Sequence, residues 1–231
     1  MGEPEELALE LTAVARTAGA DVVGFGDVTE GLHPEFWPLA RAVSLGCALP
    51  VRVGEGLAFP DEPTVARLVE AGRAVAACLR RRKQRFFVLP STGEGKKGYC
   101  AALFGHFSHK VAATCAGLGW VGKHGLLVSP EFGSAVLWGT VLTDACLPVG
   151  RPVRRGRCGS CTICRDACLP GAVQGREWRR GLEFGDLVNK DGCAAQVARL
   201  QREGKTCCGR CMAACPYNFI AVHAKEHSEG A

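Results

Sequence analysis

Apolar residues recur at helical spacing from the start of the chain. Leu7, Leu11, Val14 and Ala18 share one face over residues 4–18, and Gly19 follows as a natural stop. "ADVVGFGDV" then reads as a strand, and the nearly unbroken apolar run "AVSLGCALP" as a second, buried strand. After a Gly/Pro-rich stretch, "DEPTVARLVEAGRAVAACLRRR" has the period of a long helix, with Pro63 near its first turn and arginines in its last. "RFFVLP" predicts a strand and "STGEGKKG" a loop. A shorter helix is predicted from Ser108 to Leu118. "HGLLVSPEFGSAVLWGTVLTD" predicts two strands around a turn at Pro130–Gly133.

This order predicts an α+β protein. An α/β layer is expected over residues 1–150, with "LPVGRPVRRGR" (Leu147–Arg157) as a linker. A small cysteine-rich domain with short helices follows over 151–222, organised by metal more than by a hydrophobic core. Residues 223–231 read as a frayed tail. An apolar content of 47% suits a real core. No apolar run approaches the roughly 18–20 residues that span a bilayer, so no membrane partner is expected. The acidic, helix-patterned "MGEPEELALE" is unlike a secretory signal, which makes the expected location cytoplasmic. "VGFGDV" lacks the third glycine of a dinucleotide fingerprint, and no phosphate-binding loop pattern occurs.

The net charge is +5, and two basic runs stand out, Arg80–Arg85 and Arg151–Arg157. Each reads either as solvated surface or as a dock for an acidic redox partner or nucleic acid.

Of the 14 cysteines, nine lie between Cys158 and Cys215. Clustering without an export signal favours metal over disulfides. Cys158, Cys161, Cys164 and Cys168 are spaced C-x2-C-x2-C-x3-C, whereas structural zinc takes two C-x2–4-C pairs across a longer loop. A [4Fe–4S] cube needs one thiolate per iron, and in two-cluster ferredoxins the x3 cysteine serves the other cube. That predicts a second group. Cys208, Cys211 and Cys215 form C-x2-C-x3-C-P, and Cys193 upstream completes the count. The expected metal ligands are Cys158, Cys161, Cys164 and Cys215 for one cluster, and Cys168, Cys193, Cys208 and Cys211 for the other. Cys208 is preferred to the adjacent Cys207 because it keeps x2 to Cys211. Cys47, Cys78, Cys100, Cys115 and Cys146 read as small buried apolar residues.

"AGLGWVGKHGLLVSPEFGSAVLWGTVLTDACLP" (Ala116–Pro148) closely resembles the epoxyqueuosine reductase family. The cysteine order, with Cys193 alone before a C-x2-C-x3-C-P-Tyr-Asn end, matches as well. The resemblance implies two [4Fe–4S] clusters beside a cobalamin, and an N-terminal layer resembling the nitroreductase-like corrinoid-binding fold, followed by a ferredoxin-like two-cluster domain. In that setting Gly119, Trp120, Gly122 and Lys123 are candidate cofactor-binding residues: the glycines for close backbone approach, Trp120 for stacking, Lys123 for a phosphate or amide. A turn packed by a core Trp is the plainer reading of the same loop. Phe107 stands in "GHFSHKV" where the family has an Asp implied to donate a proton, and a phenyl ring cannot do so. His106 and His109 are the weak catalytic candidates that remain. The known enzymes are longer, with a helical region that grips tRNA. The expected function is therefore an iron–sulfur oxidoreductase relaying single electrons to a corrinoid or other acceptor, with a ferredoxin or flavodoxin as redox partner and no tRNA. The alternatives are a ferredoxin-like carrier or reductive activator of a separate corrinoid protein, the tRNA epoxyqueuosine reductase itself, and a cluster of purely structural role.

Overall fold

Helix α1 (Glu3–Thr17) starts with Pro4 and three glutamates in its first turn and carries Arg16 in its last, charges that complement the helix dipole. Its buried face is Leu7, Ala8, Leu11 and Ala15. The structure is a computed structural model that describes residues 2–50, 61–89, 107–204 and 208–218. These divide into two compact units.

Unit 1 comprises residues 1–48, 62–118 and 137–153. Strands β1 (Val22–Asp27) and β2 (Arg41–Ala48) pair antiparallel, Val22 opposite Gly46 and Asp27 opposite Arg41. Two short 3-10 turns, Thr29–Gly31 and Pro34–Leu39, which hydrophobic periodicity did not predict, fill the connection. Helix α2 (Glu62–Arg81) and strand β3 (Phe86–Leu89) follow as expected. Helix α3 (His109–Cys115) is capped by the Ser108 hydroxyl, which accepts from the Lys110 N–H. Between α3 and strand β6 (Val136–Thr143) come strands β4 (Trp120–Val121) and β5 (Leu127–Val128). The main sheet runs β1-β2-β6-β3, with β3 antiparallel to β6. All eight residues of β6 are buried, as a central strand requires.

The period of two sorts β2 and β6 between two cores. Leu45, Gly139 and Val141 face Leu68 of α2. Ala42 and Leu142 turn the other way, into a cluster with Val28, Leu32, Leu89, Phe107, Ala112 and Cys115. Phe107, which the sequence comparison set against a proton donor, is thus a core residue. Phe107→Ala should lower the unfolding free energy by about 3–5 kcal/mol, read from urea denaturation.

The first basic run is spent within unit 1. Arg82 pairs with Glu10 at 2.7 Å and Glu6 at 3.1 Å, Arg81 with Glu10 at 3.1 Å, and Arg85 with Asp144 at 2.7 Å. The Arg82 and Cys78 side-chain hydrogen bonds hold the Glu10 carboxyl below its ordinary range. Such exposed pairs contribute only about 0–1 kcal/mol each. The expected linker is also tied down at its start: the Gly150 N–H donates to the Phe25 carbonyl and the Val153 N–H to that of Thr114, each at 2.8 Å.

Unit 2 comprises residues 49–61, 119–136 and 154–231. Residues 119–136, expected with the first domain, therefore belong with the cysteine-rich part. Strands β4 and β5 pair antiparallel across a tight turn, Trp120 opposite Val128. The two strands predicted around Pro130–Gly133 consequently do not pair with each other. The edge of β5 is taken by β4, while β6 joins the main sheet. The turn is closed locally, by Ser129 and Gly133 exchanging backbone hydrogen bonds of 2.7 and 2.9 Å. Short helices α4 (Ile163–Asp166), α5 (Lys190–Arg202) and α6 (Arg210–Ala213) complete the unit. Its buried apolar residues include Trp120, Leu127 and Val128 of the β4–β5 region and Val173, Trp178 and Leu187 of the cysteine-rich segment. Among the described residues, no helix is long and apolar enough to cross a membrane.

Candidate metal centre

The segment from Cys158 to Cys168 is wound tightly by its own backbone. The Cys161 N–H donates to the Cys158 carbonyl, the Cys168 N–H to that of Arg165, and Thr162 bonds Asp166 at 2.6 Å across α4. The Glu177 carboxylate accepts from the Cys158 N–H at 3.1 Å. The Cys168 sulfur accepts from the Ala172 N–H at 3.2 Å. Asn189 caps α5 through the Gly192 N–H, which places Cys193 in the first turn. Gly209, at φ +58°, turns the chain into α6, so that Cys208 precedes the helix, Cys211 lies in it and Cys215 follows it.

The fields among these thiols show which are neighbours. The Cys164 thiol is pushed up to about 11, by burial first and then by Cys158, Cys215 and Cys161. Burial raises Cys215 as well, with Cys158 and Cys161 adding, while the Tyr217 N–H and the Ser134 hydroxyl pull it down. Burial raises Cys193, and Cys168 and Cys208 raise it further. Cys211 reaches about 12, through burial and then Cys168, Cys164, Cys193 and Cys208. Cys164 and Cys215 thus lie in the field of Cys158 and Cys161, Cys193 in that of Cys168 and Cys208, and Cys211 in that of Cys168, Cys193, Cys208 and also Cys164. The described Cys208 takes part; Cys207 lies outside the described residues. Among the described residues no three His, Cys, Asp or Glu side chains are placed to hold one metal ion. A cube offers a separate iron to each thiolate, so its ligands stand farther apart than those of a single zinc.

The loop of β4 and β5 serves this same region. Trp120 is 2% exposed and meets the Tyr217 ring edge-on at 4.9 Å, under the Arg157 guanidinium at 5.6 Å. Tyr217 donates its hydroxyl to the Arg157 carbonyl at 3.0 Å. Lys123 Nζ donates to the carbonyls of Gly159 at 2.6 Å and Cys161 at 3.0 Å. A side chain on Gly119 would run into the Val128 carbonyl, and one on Gly122 into the His124 ring. These four residues, expected beside a corrinoid, are occupied within unit 2, and their contacts do not fit that group. Their close approaches are to protein backbone and to the cysteine loop.

Ser134 and Asn218, which the sequence reading did not single out, form a buried link behind Cys215. Asn218 accepts from the Ser134 N–H at 2.7 Å and donates to the Met212 carbonyl at 2.7 Å. The signal was present, in the adjacent motifs "PEFGS" and "CPYN". Elsewhere, His109 Nδ1 lies 2.9 Å from Thr140 Oγ1 inside unit 1, and His106 lies outside the described residues. The Cys47 and Cys78 thiols are each raised to about 11, chiefly by burial, and Cys115 is buried in the core. Cys146 departs from its expectation and is exposed. Cys100 lies outside the described residues.

No family model matches the chain. An epoxyqueuosine reductase of Gloeobacter violaceus is 32% identical over 234 aligned residues, which cover 96% of this chain and 72% of that protein. Against epoxyqueuosine reductases of Synechococcus sp., Pseudomonas aeruginosa and Escherichia coli the chain spans only 34%, 48% and 28% of their lengths. An epoxyqueuosine reductase solved with an epoxyqueuosine-modified tRNA-Tyr stem loop is 20% identical and superposes with a TM-score of 0.63, covering 92% of this chain and 65% of that one. A reductive dehalogenase whose structure suggests a mechanism for B12-dependent dehalogenation is 20% identical with a TM-score of 0.67, covering 99% of this chain and 37% of that one. The fold is therefore the mixed α/β arrangement these two structures share. Two expectations are overturned. The relatives are epoxyqueuosine reductases, and one such enzyme is solved with an epoxyqueuosine-modified tRNA stem loop, which displaces the relay to an unspecified acceptor. One of the similar structures is a complex with tRNA, which removes the ground for excluding tRNA as a partner. Phe107 carries no weight against it, because that residue is spoken for by the core.

Proposed function

The chain belongs to the epoxyqueuosine reductase family, and on that premise we propose that it is an oxidoreductase that reduces epoxyqueuosine in tRNA. The net change removes the epoxide oxygen as water and leaves a carbon–carbon double bond, at the cost of two electrons and two protons. The observation that supports it most is the likeness to the Gloeobacter violaceus reductase across 96% of the chain, cysteine region included.

Unit 2 is read as a ferredoxin-like domain for two [4Fe–4S] clusters, and unit 1 as a nitroreductase-like layer. Cys158, Cys161, Cys164 and Cys215 would hold one cluster, and Cys168, Cys193, Cys208 and Cys211 the other. Bound clusters supply single electrons at potentials set by their surroundings. Two features of the residues fit them. Burial and the neighbouring thiols raise Cys164, Cys193, Cys211 and Cys215, so these stay protonated until cations enter. The Trp120 indole N–H is buried without a partner among the described residues, a cost of about 1–3 kcal/mol that a cluster sulfur beside it would relieve. A corrinoid is kept as a family expectation only, and no step is routed through it. For the tRNA backbone, the exposed Arg154, Arg155 and Arg157 suit phosphate contacts.

The test is direct. Anaerobically reconstituted protein is incubated with an epoxyqueuosine-bearing tRNA stem loop, a low-potential reductant and added cobalamin, and the nucleosides are analysed. Conversion to queuosine is expected, with binding that weakens steeply as salt rises. Protein loaded with eight irons that converts none of the substrate would refute the assignment.

A further inference from the structure

The Lys123 ammonium has no acidic partner among the described residues, yet only 7% of the residue is exposed. Its ammonium donates to two carbonyls, those of Gly159 and Cys161, at 2.6 and 3.0 Å. An ammonium has three N–H donors and a full charge. Two carbonyl dipoles answer two of the donors and leave the charge unneutralised. Burying an ion in this way is costly unless an opposite charge lies near. The lysine is not there by slack. The Trp120–Val128 and Val121–Leu127 pairs fix the register of β4 and β5, and the Gly122 N–H to Leu126 carbonyl bond of 2.8 Å closes the turn that carries it. Trp120, on the same hairpin, braces Tyr217 beside Cys215. One hairpin thus grips both segments whose thiols make up the first group.

We infer that Lys123 is the positioning residue and the built-in counter-ion of the cluster held by Cys158, Cys161, Cys164 and Cys215. This rests on the reading that those thiols hold a [4Fe–4S] cluster. Four thiolates on an oxidised cube of charge +2 leave a net charge of −2, and one-electron reduction makes it −3. A fixed cation against the loop neutralises part of that charge and favours the reduced state, so it raises the potential of this cluster and not of its neighbour. The two carbonyl bonds also hold the Cys158–Cys161 turn open to the metal before it binds.

The full chain is reconstituted anaerobically as wild type, Lys123→Met, Lys123→Gln and Lys123→Arg. Iron and sulfide are counted, and each cluster is titrated against applied potential by its electron paramagnetic resonance. Gln keeps a donor and loses the charge; Arg keeps the charge. In the Met and Gln variants the reduced-to-oxidised ratio of one cluster at fixed potential should fall at least tenfold, about 59 mV for a one-electron couple. The other cluster should not move, and Arg should stay within about threefold of wild type. The shifted signal should be the one that Cys215→Ser abolishes. A Gln variant that titrates like wild type, or an equal shift of both clusters, overturns the inference. So does loss of the cluster in all three variants, which would make the role one of shape and not charge. Loss of iron in Met alone leaves the Gln titration to decide. A wild-type protein without sulfide would instead refute the cluster reading itself.

Discussion

Replacing Cys215 with serine should leave about four of eight irons bound and remove the cluster whose other ligands lie some fifty residues upstream. Replacing Cys168, within the upstream motif, should spare that cluster and remove the other. The reason is the crossed assignment of the thiols proposed above. Beside burial, the Cys164 thiol is raised by Cys158, Cys215 and Cys161. Cys168 instead bears on Cys193 and Cys211. Serine is nearly isosteric, so the packing around Ser134 and Tyr217 should persist while a thiolate ligand is lost. Iron and sulfide analysis with the resonance spectrum of each reduced variant reads the outcome. If Cys215→Ser and Cys168→Ser abolish the same cluster, the crossed assignment is wrong.

Gly133→Ala should lower stability by about 2–5 kcal/mol and cost the same cluster much of its iron. Gly133 sits at φ +66°, where a side chain strains the backbone. Its added methyl would also meet the Asn218 backbone nitrogen at 2.6 Å. Asn218 is three residues beyond Cys215 and is pinned by Ser134, so it cannot yield without carrying the cysteine with it. Gly171 provides the comparison: its φ is +62°, but a side chain there meets nothing within 4 Å. Gly171→Ala should show the backbone strain alone, about 1–2 kcal/mol, and keep the cluster. Urea denaturation and iron content measured on both variants separate the two contributions. Equal losses would mean that the approach to Asn218 does not matter.

Much of unit 1 was legible because its signals are local. The period of Leu7, Leu11 and Val14 predicts α1, and the long amphipathic run predicts α2, each within a residue or two of its observed bounds. The apolar run of β6 marks a buried strand but says nothing about which neighbour it joins, and so the two strands expected around Pro130–Gly133 do not pair with each other. The two-residue strand β4 is too short for any period to reveal. Lys123 was the most misleading residue. A lysine among glycines reads as a hand held out to a ligand, whereas here it is buried against carbonyls 36 and 38 residues away in sequence.

The sequence by itself determined where the cysteines gather and pointed to metal held by two groups, because a ligand motif is written in spacings of two and three residues along one short segment. It also carried the family, through the run from Ala116 to Pro148. The tertiary structure alone decided what supports those cysteines. The hairpin that grips them, the Ser134–Asn218 link behind Cys215 and the place of Phe107 in the core all depend on contacts between residues far apart in the chain. Periodicity says that a face will be buried; only packing says against what.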